Sequence, residues 1–263
     1  MPAKTRRNDR KDARPRYSAP ALEKGLDIIE LLSDARQPLS MAQVAQRLER
    51  SRSEIFRMLT VLEARGYIAR GETSDHFSIT NKLFDLGMRK PPIRGLLEIA
   101  LPEMRILARE IGQSCHLAVA SGDHNVVIAR AENPGEESFA VSLGYRRHLT
   151  DSTSGRVLLA FQDETQRERL LAAARRTAPA GYDEGALTRA LNRIRNRGYE
   201  RAVSRSLVGI TDIGAPIIGA QDAAVAALTV PFVKRVAVAH DMEAAIDAVR
   251  AAAARISAVI AIA

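Results

Sequence analysis

The stretch LSMAQVAQRLERSRSEIFRMLTVLEARG, residues 39–66, writes two helix starts eleven residues apart. Ser40 is followed three residues on by Gln43, and Ser51 by Glu54. Both are Ser-x-x-Gln/Glu capping boxes: the serine oxygen accepts an orphaned backbone N–H, and the third residue returns a bond to the cap's own N–H. Behind the first start, Met41, Val44, Ala45 and Leu48 share a face. Behind the second, Ile55, Met58, Leu59 and Leu62 recur at i, i+3, i+4, i+7. One apolar stripe per helix packs the pair together. The opposite face of the second helix carries Ser53, Arg57, Thr60 and Ala64, with Arg52 in its first turn. A helix pair of this kind sets the N-terminal residues of its second helix in the major groove, where arginine reaches guanine edges or phosphates. Ser40, Gln43, Arg52, Ser53 and Arg57 are therefore DNA-contact candidates, although any capped helical hairpin satisfies the same pattern.

Outward from this pair, Gly66 stands at a C-cap position and Tyr67–Arg70 reads as a short strand. Residues 71–75 are a polar turn, and His76–Ile79 alternates again, with Phe77 and Ile79 on one face. The two strands make a wing, from which Arg70 and His76 can flank the phosphate backbone. A hairpin that only covers the apolar end of the helices is the competing reading, above all for His76.

The formal net charge of +8 is unevenly spread. Residues 1–17, MPAKTRRNDRKDARPRY, hold seven Lys/Arg and two Asp/Glu, so most of the basic excess is a tail with too few apolar residues to order itself. Such an arm either adds salt-sensitive attraction to phosphates or is a solvated leader. No signal-peptide core and no run of roughly 18 apolar residues is present, so a cytoplasmic protein with no membrane contact is expected. The single cysteine, Cys115, rules out an intrachain disulfide and fits a reducing compartment.

The 263 residues suffice for two cores. The expected division is a disordered tail at 1–17, a winged helix-turn-helix at 18–81, a helical linker at 82–101, and an effector-binding and oligomerisation domain at 102–263. Lys82–Arg89 reads as a short helix broken by Pro91 and Pro92. A stripe of Ile93, Leu96, Leu97 and Ala100 follows, which Pro102 interrupts or restarts. The last part mixes strands at 115–120, 125–131, 138–143, 211–217 and 224–230 with helices at 153–161, 165–174, 186–197 and 241–262. That pattern predicts an α+β protein with an antiparallel sheet. Ser121–His124 is a turn of the longer-loop hairpin type.

Several blocks, in order, resemble the IclR family of bacterial transcriptional regulators over residues 18–263. They are SAPALEKGLDIIELLSD, the helix pair itself, the 83–87 LFDLG helix, GQSCHLAVASGDHNVVIARAE, TSGRVLLAF, RNRGYE, and VGITDIGAPII followed by AALTVP. The resemblance implies a winged helix-turn-helix joined to a GAF-like domain, assembly as dimers or dimers of dimers, and a small organic effector that alters operator binding. It places the effector pocket at Thr153, Ser154, Gly155, Asp212, Thr229 and Pro231, with Phe139 and Ala202 matching more loosely. Many relatives carry cysteine at the position of Asp212 and serines at those of Thr229 and Pro231, so the contacts to a small carboxylate are altered here. An ionised Asp212 repels a carboxylate unless Arg146 or Arg147 compensates, or unless its pKa is raised and it donates. An Asp bonded to a neighbouring turn is the alternative. Thr229 equally suits an ordinary strand position.

Independently of the resemblance, Ser152-Thr153-Ser154-Gly155 opens a helix whose N–H groups favour an anion or carbonyl oxygen, unless Ser152 or Thr153 simply caps it. No G-x-S-x-G, H-E-x-x-H, G-x-G-x-x-G or G-x-x-x-x-G-K-[ST] spacing occurs. Cys115 and His116 are adjacent on a strand and point to opposite faces, so they do not build one nucleophilic or metal site. No catalytic residue, metal or cofactor is therefore expected. The partners expected are double-stranded operator DNA, a small-molecule effector and further copies of the chain. A hydrolase-like enzyme with a fused helical domain is the alternative, and a structural adaptor using the hairpin for protein contacts is a third.

Overall fold

The computed structural model describes residues 18–71, 74–88, 91–135, 138–178, 181–219, 221–234 and 241–261. They fall into two compact units divided between Lys90 and Pro91. The basic tail at 1–17 lies outside the described residues.

The first unit comprises α1 (Pro20–Asp34), β1 (Leu39–Ser40), α2 (Met41–Arg47), α3 (Arg52–Ala64), β2 (Ile68–Arg70), β3 (His76–Ile79) and α4 (Lys82–Met88). Both capping boxes form. Ile28 and Leu32 of α1, Val44 and Ala45 of α2, and Ile55 and Leu59 of α3 close over Ile68 and Phe77. The helix α3 ends in a Schellman turn: Gly66, at φ +72°, donates to Glu63, and Tyr67 N–H reaches back to the Leu62 carbonyl. The wing has three strands, in the order β1-β3-β2, where the sequence pattern predicts two. The added strand follows from capping, since an N-cap residue has an extended backbone (Ser40 φ −70°, ψ 158°). Ser40 thereby pairs with His76, and Leu39 with Phe77.

The second unit begins with α5 (Pro91–Glu110), which continues through Pro102 instead of breaking there. Leu96, Ala100, Met104 and Leu107 lie on one buried face across the proline. Their burial offsets the ~3 kcal/mol that an interior proline costs. The segment expected as one linker, 82–101, is thus shared out, α4 falling in the first unit and the start of α5 in the second. There follow β4 (Cys115–Ser121), β5 (His124–Ala131), β6 (Arg146–His148), a 3-10 helix at Leu149–Asp151, α6 (Thr153–Ala160), α7 (Glu164–Arg176), α8 (Glu184–Arg197), β7 (Glu200–Val203), β8 (Ile210–Ile218), β9 (Ala224–Val233) and α9 (Met242–Ile260). The strands form an antiparallel sheet in the order β6-β5-β4-β9-β8-β7.

Strand alternation divides the two faces of this sheet. Leu117, Ile213, Ala215, Leu228 and Val230 pack against α5 and α9. The intervening residues, His116, Asp212, Gly214 and Thr229, turn the other way, and Gly214 there lies close to Thr153 and Val157 of α6. The β4–β5 hairpin has a two-residue turn, since Ser121 pairs with His124 and Gly122 takes a φ of +61°, so the longer loop is not needed. Residues 138–143, expected as a strand, are not one. The outer edge of β5 is already taken: Gly144 donates to the Val127 carbonyl, Val127 N–H donates to Tyr145, and β6 continues the ladder. The alternation of Phe139, Val141 and Leu143 mimics a strand but belongs to a covering segment. The short β7 carries too little apolar alternation to be recognised from sequence.

Candidate functional sites

On α3, Arg52, Ser53, Phe56, Arg57 and Thr60 are exposed together. The helix is fixed by Glu54, whose carboxylate accepts from Lys24 Nζ of α1 at 2.5 Å, from Ser51 Oγ at 2.8 Å and from Ser51 N–H at 3.2 Å. The Lys24 bond, with those from Ser51, lowers the Glu54 carboxyl to about 2. Phe56, 53 % exposed, was not among the sequence candidates because the apolar pattern is read for what it buries. Ser40 and Gln43 are engaged with each other in the α2 capping box: Gln43 N–H donates to Ser40 Oγ at 3.3 Å, and Ser40 N–H to Gln43 Oε1 at 2.8 Å. On the wing, Arg70 is engaged by Asp75 at 3.2 Å and Glu63 at 3.6 Å, and its guanidinium lies 4.9 Å from the centre of the Phe77 ring. His76 is half-buried in β3, its Nδ1 without a hydrogen-bond partner. The outward face of α3 thus carries exposed side chains, while Ser40, Gln43 and Arg70 are engaged in bonds within the unit.

The sheet face opposite α5 and α9 holds a cavity of about 320 Å³. Phe139, Thr153, Ser154, Asp212, Thr229 and Pro231 line it, brought together from a loop, a helix start and two strands. Gly155 and Ala202 are not in the lining. A Cβ on Gly155 would lie 2.2 Å from the Leu149 carbonyl oxygen, so glycine is required there for the close approach of the 3-10 helix. Ala202 pairs with Asp212 from β7. Gly155 N–H donates to Ser152 Oγ at 3.1 Å, which makes Ser152 an ordinary cap. Arg147 lines the cavity, and Arg146 does not.

The lining includes residues the sequence analysis did not single out as ligand contacts: His116, Asn125, Tyr145, Asp151 and Arg205. The signal for His116 was its alternation with Cys115. His116 pairs with Thr229 across β4 and β9. Its Nε2 lies 3.3 Å from Ser154 Oγ, which is 2.9 Å from Thr229 Oγ1. Burial lowers the His116 imidazole to about 4, so the ring is neutral near pH 7, and its Nδ1 has no protein partner. Cys115 points into the core on the other face, where burial raises its thiol to about 12 and leaves it unreactive.

Carboxylates and arginines also meet in and beside the lining. Burial raises the Asp212 carboxyl despite Arg156, Ser204 and Arg147 nearby. Arg156, 6 % exposed, donates to Glu200 at 2.7 Å, and burial still raises Glu200. Asp151 accepts from Arg147 at 2.5 Å and from Arg205 at 3.0 Å. The lining therefore combines a neutral hydroxyl–imidazole network, arginines, and the apolar side chains of Val127, Phe139, Val141 and Ile210. Such a lining holds a small molecule by apolar contact and orients it by a few polar groups.

Residues 93–258 match the sequence profile of the bacterial transcriptional regulator IclR C-terminal domain, and residues 21–72 that of the IclR helix-turn-helix domain. The chain belongs to the IclR family. It is a DNA-binding transcriptional regulator with an effector-binding C-terminal domain. Among curated relatives, the HTH-type transcriptional regulator KdgR of Escherichia coli (strain K12) is 27 % identical over 218 residues, 82 % of each chain. An IclR-family regulator structure from Alicyclobacillus acidocaldarius superposes with a TM-score of 0.74 at 26 % identity, covering 92 % of this chain and 99 % of that one. An IclR homolog from Microbacterium hydrocarbonoxydans, crystallised with 4-hydroxybenzoate, has the same fold at a TM-score of 0.76 and 22 % identity, covering 92 % of this chain and all of the other. Among the described residues, no helix is long and apolar enough to cross a membrane, and no three His, Cys, Asp or Glu side chains group as metal ligands.

Proposed function

We propose that this IclR-family regulator binds a small carboxylic acid, aromatic or similarly flat, in the cavity between α6 and the sheet, and that occupancy changes the affinity of α3 for operator DNA. The observation that carries the reading is the mixed lining. Arg147 and Arg205 offer charge to a carboxylate, while the neutral His116–Ser154–Thr229 network suits a hydroxyl or carbonyl. The apolar lining residues Val127, Phe139, Val141 and Ile210 suit a ring. Burial raises the Asp212 carboxyl, which works against the ionised form that would repel an anion beside it. On the DNA side, Arg52, Ser53 and Arg57 make the groove contacts, with Arg70 and His76 on the wing as secondary candidates.

The chain acts in the cytoplasm as a homodimer or a dimer of dimers, in keeping with paired operator half-sites. The test is fluorescence anisotropy of the purified chain on duplex DNA from its own upstream region. Aliphatic and aromatic carboxylates are added beside their neutral amides. Acids should shift operator affinity where amides do not, and Arg52→Ala with Arg57→Ala should remove binding. A response to amides or cations but not to acids would sink the carboxylate assignment. Salt-insensitive DNA binding, unchanged by the double substitution, would sink the assignment of α3.

A further inference from the structure

One carboxylate at the edge of the cavity is shared by two arginines from separate segments. Asp151 ends the 3-10 helix, and all three side chains line the cavity. The two bonds are unequal. Arg147 belongs to β6, is 23 % exposed, and donates both to the Asp151 carboxylate and to its backbone carbonyl at 3.3 Å. Arg205 lies between β7 and β8, is 61 % exposed, and donates to Asp151 Oδ1 at 3.0 Å. Burial opposes ionisation of Asp151, but Arg205 and Arg147 together hold its carboxyl below the ordinary value.

A carboxylate gripped by two guanidinium groups is the arrangement in which the same arginines would grip a ligand's carboxylate. The local charge balance points the same way. Arg156 is taken up by Glu200 in a buried pair, and His116 is neutral. Arg147 and Arg205 both have Asp151 as their bonded carboxylate, two cations on one anion. An exposed, singly bonded arginine is the one that changes partner at least cost.

We propose that Asp151 is a built-in stand-in for the effector's carboxylate, holding Arg205 until a monocarboxylate takes it over. Arg205 thereby selects acids over neutral analogues, and Asp151 sets how tightly they bind. The proposal rests on the reading of this cavity as a carboxylic-acid site, and it adds a competitor that belongs to the protein. It also makes the 204–209 segment, which joins two strands of the sheet, the part that registers the ligand.

The test is isothermal titration calorimetry of the full-length chain with benzoate, 4-hydroxybenzoate, benzamide and 4-hydroxybenzamide, on wild type, Asp151→Asn, Arg205→Gln and the double variant. Asp151→Asn should bind the acids more tightly by roughly fivefold, the worth of one exposed ion pair. Its melting temperature should nevertheless fall, because the free protein loses two charge-assisted bonds. Arg205→Gln, on an exposed segment that does not threaten folding, should erase the preference for acid over amide, and the double variant should bind no better than Arg205→Gln. A purely structural Asp151 predicts weaker acid binding, and that result overturns the proposal. An equal gain for the amides overturns it too, since it would mean only a wider opening. Acid binding by wild type that neither substitution changes overturns the stand-in and leaves the carboxylate site standing. No acid binding by any of the four proteins overturns both.

Discussion

Gly155 shows how one residue can look functional in sequence and prove structural in space. It sits in a serine-rich helix start of the kind that binds anions, but its absent side chain leaves room for the Leu149 backbone. Gly155→Ala must push the 3-10 helix off α6, and is expected to cost about 3 kcal/mol or more, read as a lower urea midpoint. Asp212 behaves in the opposite sense. Because burial raises its carboxyl above the ordinary 3.8, the folded chain holds that proton more tightly than the unfolded one. The stability so gained is present at low pH and is lost as pH rises through the folded-state value. Asp212→Asn mimics the protonated form and should therefore gain on wild type as pH rises above the ordinary 3.8 in urea unfolding. A variant that instead loses ground as pH rises would mean Asp212 works as an ion. The lining residues Thr153, Ser154, Asp212, Thr229 and Pro231 were legible through the family resemblance. His116, Asp151 and Arg205 were not, because their role comes from strand register and from an ion pair spanning 54 residues of sequence.

At the scale of elements, what could be read was what is written locally. The starts of α2 and α3 were visible because each capping box lies within four residues, and both form. The third wing strand was not visible, since Leu39 and Ser40 become a strand only by pairing with Phe77 and His76. Residues 138–143 were misread for the converse reason: apolar alternation declares two faces without declaring a hydrogen-bonded neighbour. The capping box of α3 also carries a tertiary bond, from Glu54 to Lys24 of α1. With the Glu54 carboxyl lowered to about 2 from an ordinary 4.5, its contribution is present above 4.5 and fades as pH falls toward 2. Hydrogen exchange in α3, corrected for intrinsic rates, should therefore rise faster between pH 5 and about pH 3 in wild type than in Glu54→Gln, which lacks the titrating group. Ser51→Ala removes the cap itself and is expected to cost about 1 kcal/mol near neutral pH. Identical pH dependence in wild type and Glu54→Gln would show that Lys24 and Glu54 do not hold α3 in solution.

For the molecule as a whole, the two units carry the two activities, and thermodynamics ties them together. Charge partition along the chain already implied that the helix pair reads DNA with a few placed arginines, since the net excess is concentrated in residues 1–17. If a carboxylic acid lowers operator affinity by some factor, linkage requires saturating operator to lower the affinity for that acid by the same factor. Both can be measured on one preparation, as DNA anisotropy with and without 4-hydroxybenzoate and as calorimetry with and without operator duplex. Unequal factors would mean that the acid acts somewhere other than on a single folded, DNA-competent state. A core substitution separates the units further. Ile55 is fully buried in the first unit, and Ile55→Ala should cost that unit about 2–5 kcal/mol. Operator binding should fall accordingly, while acid affinity measured without DNA stays at the wild-type value, because the second unit has its own core built on α5, α9 and the sheet. Loss of acid affinity in Ile55→Ala without DNA would show that the cavity depends on a folded first unit, and the reciprocity would then reflect shared folding instead of communication between two sites.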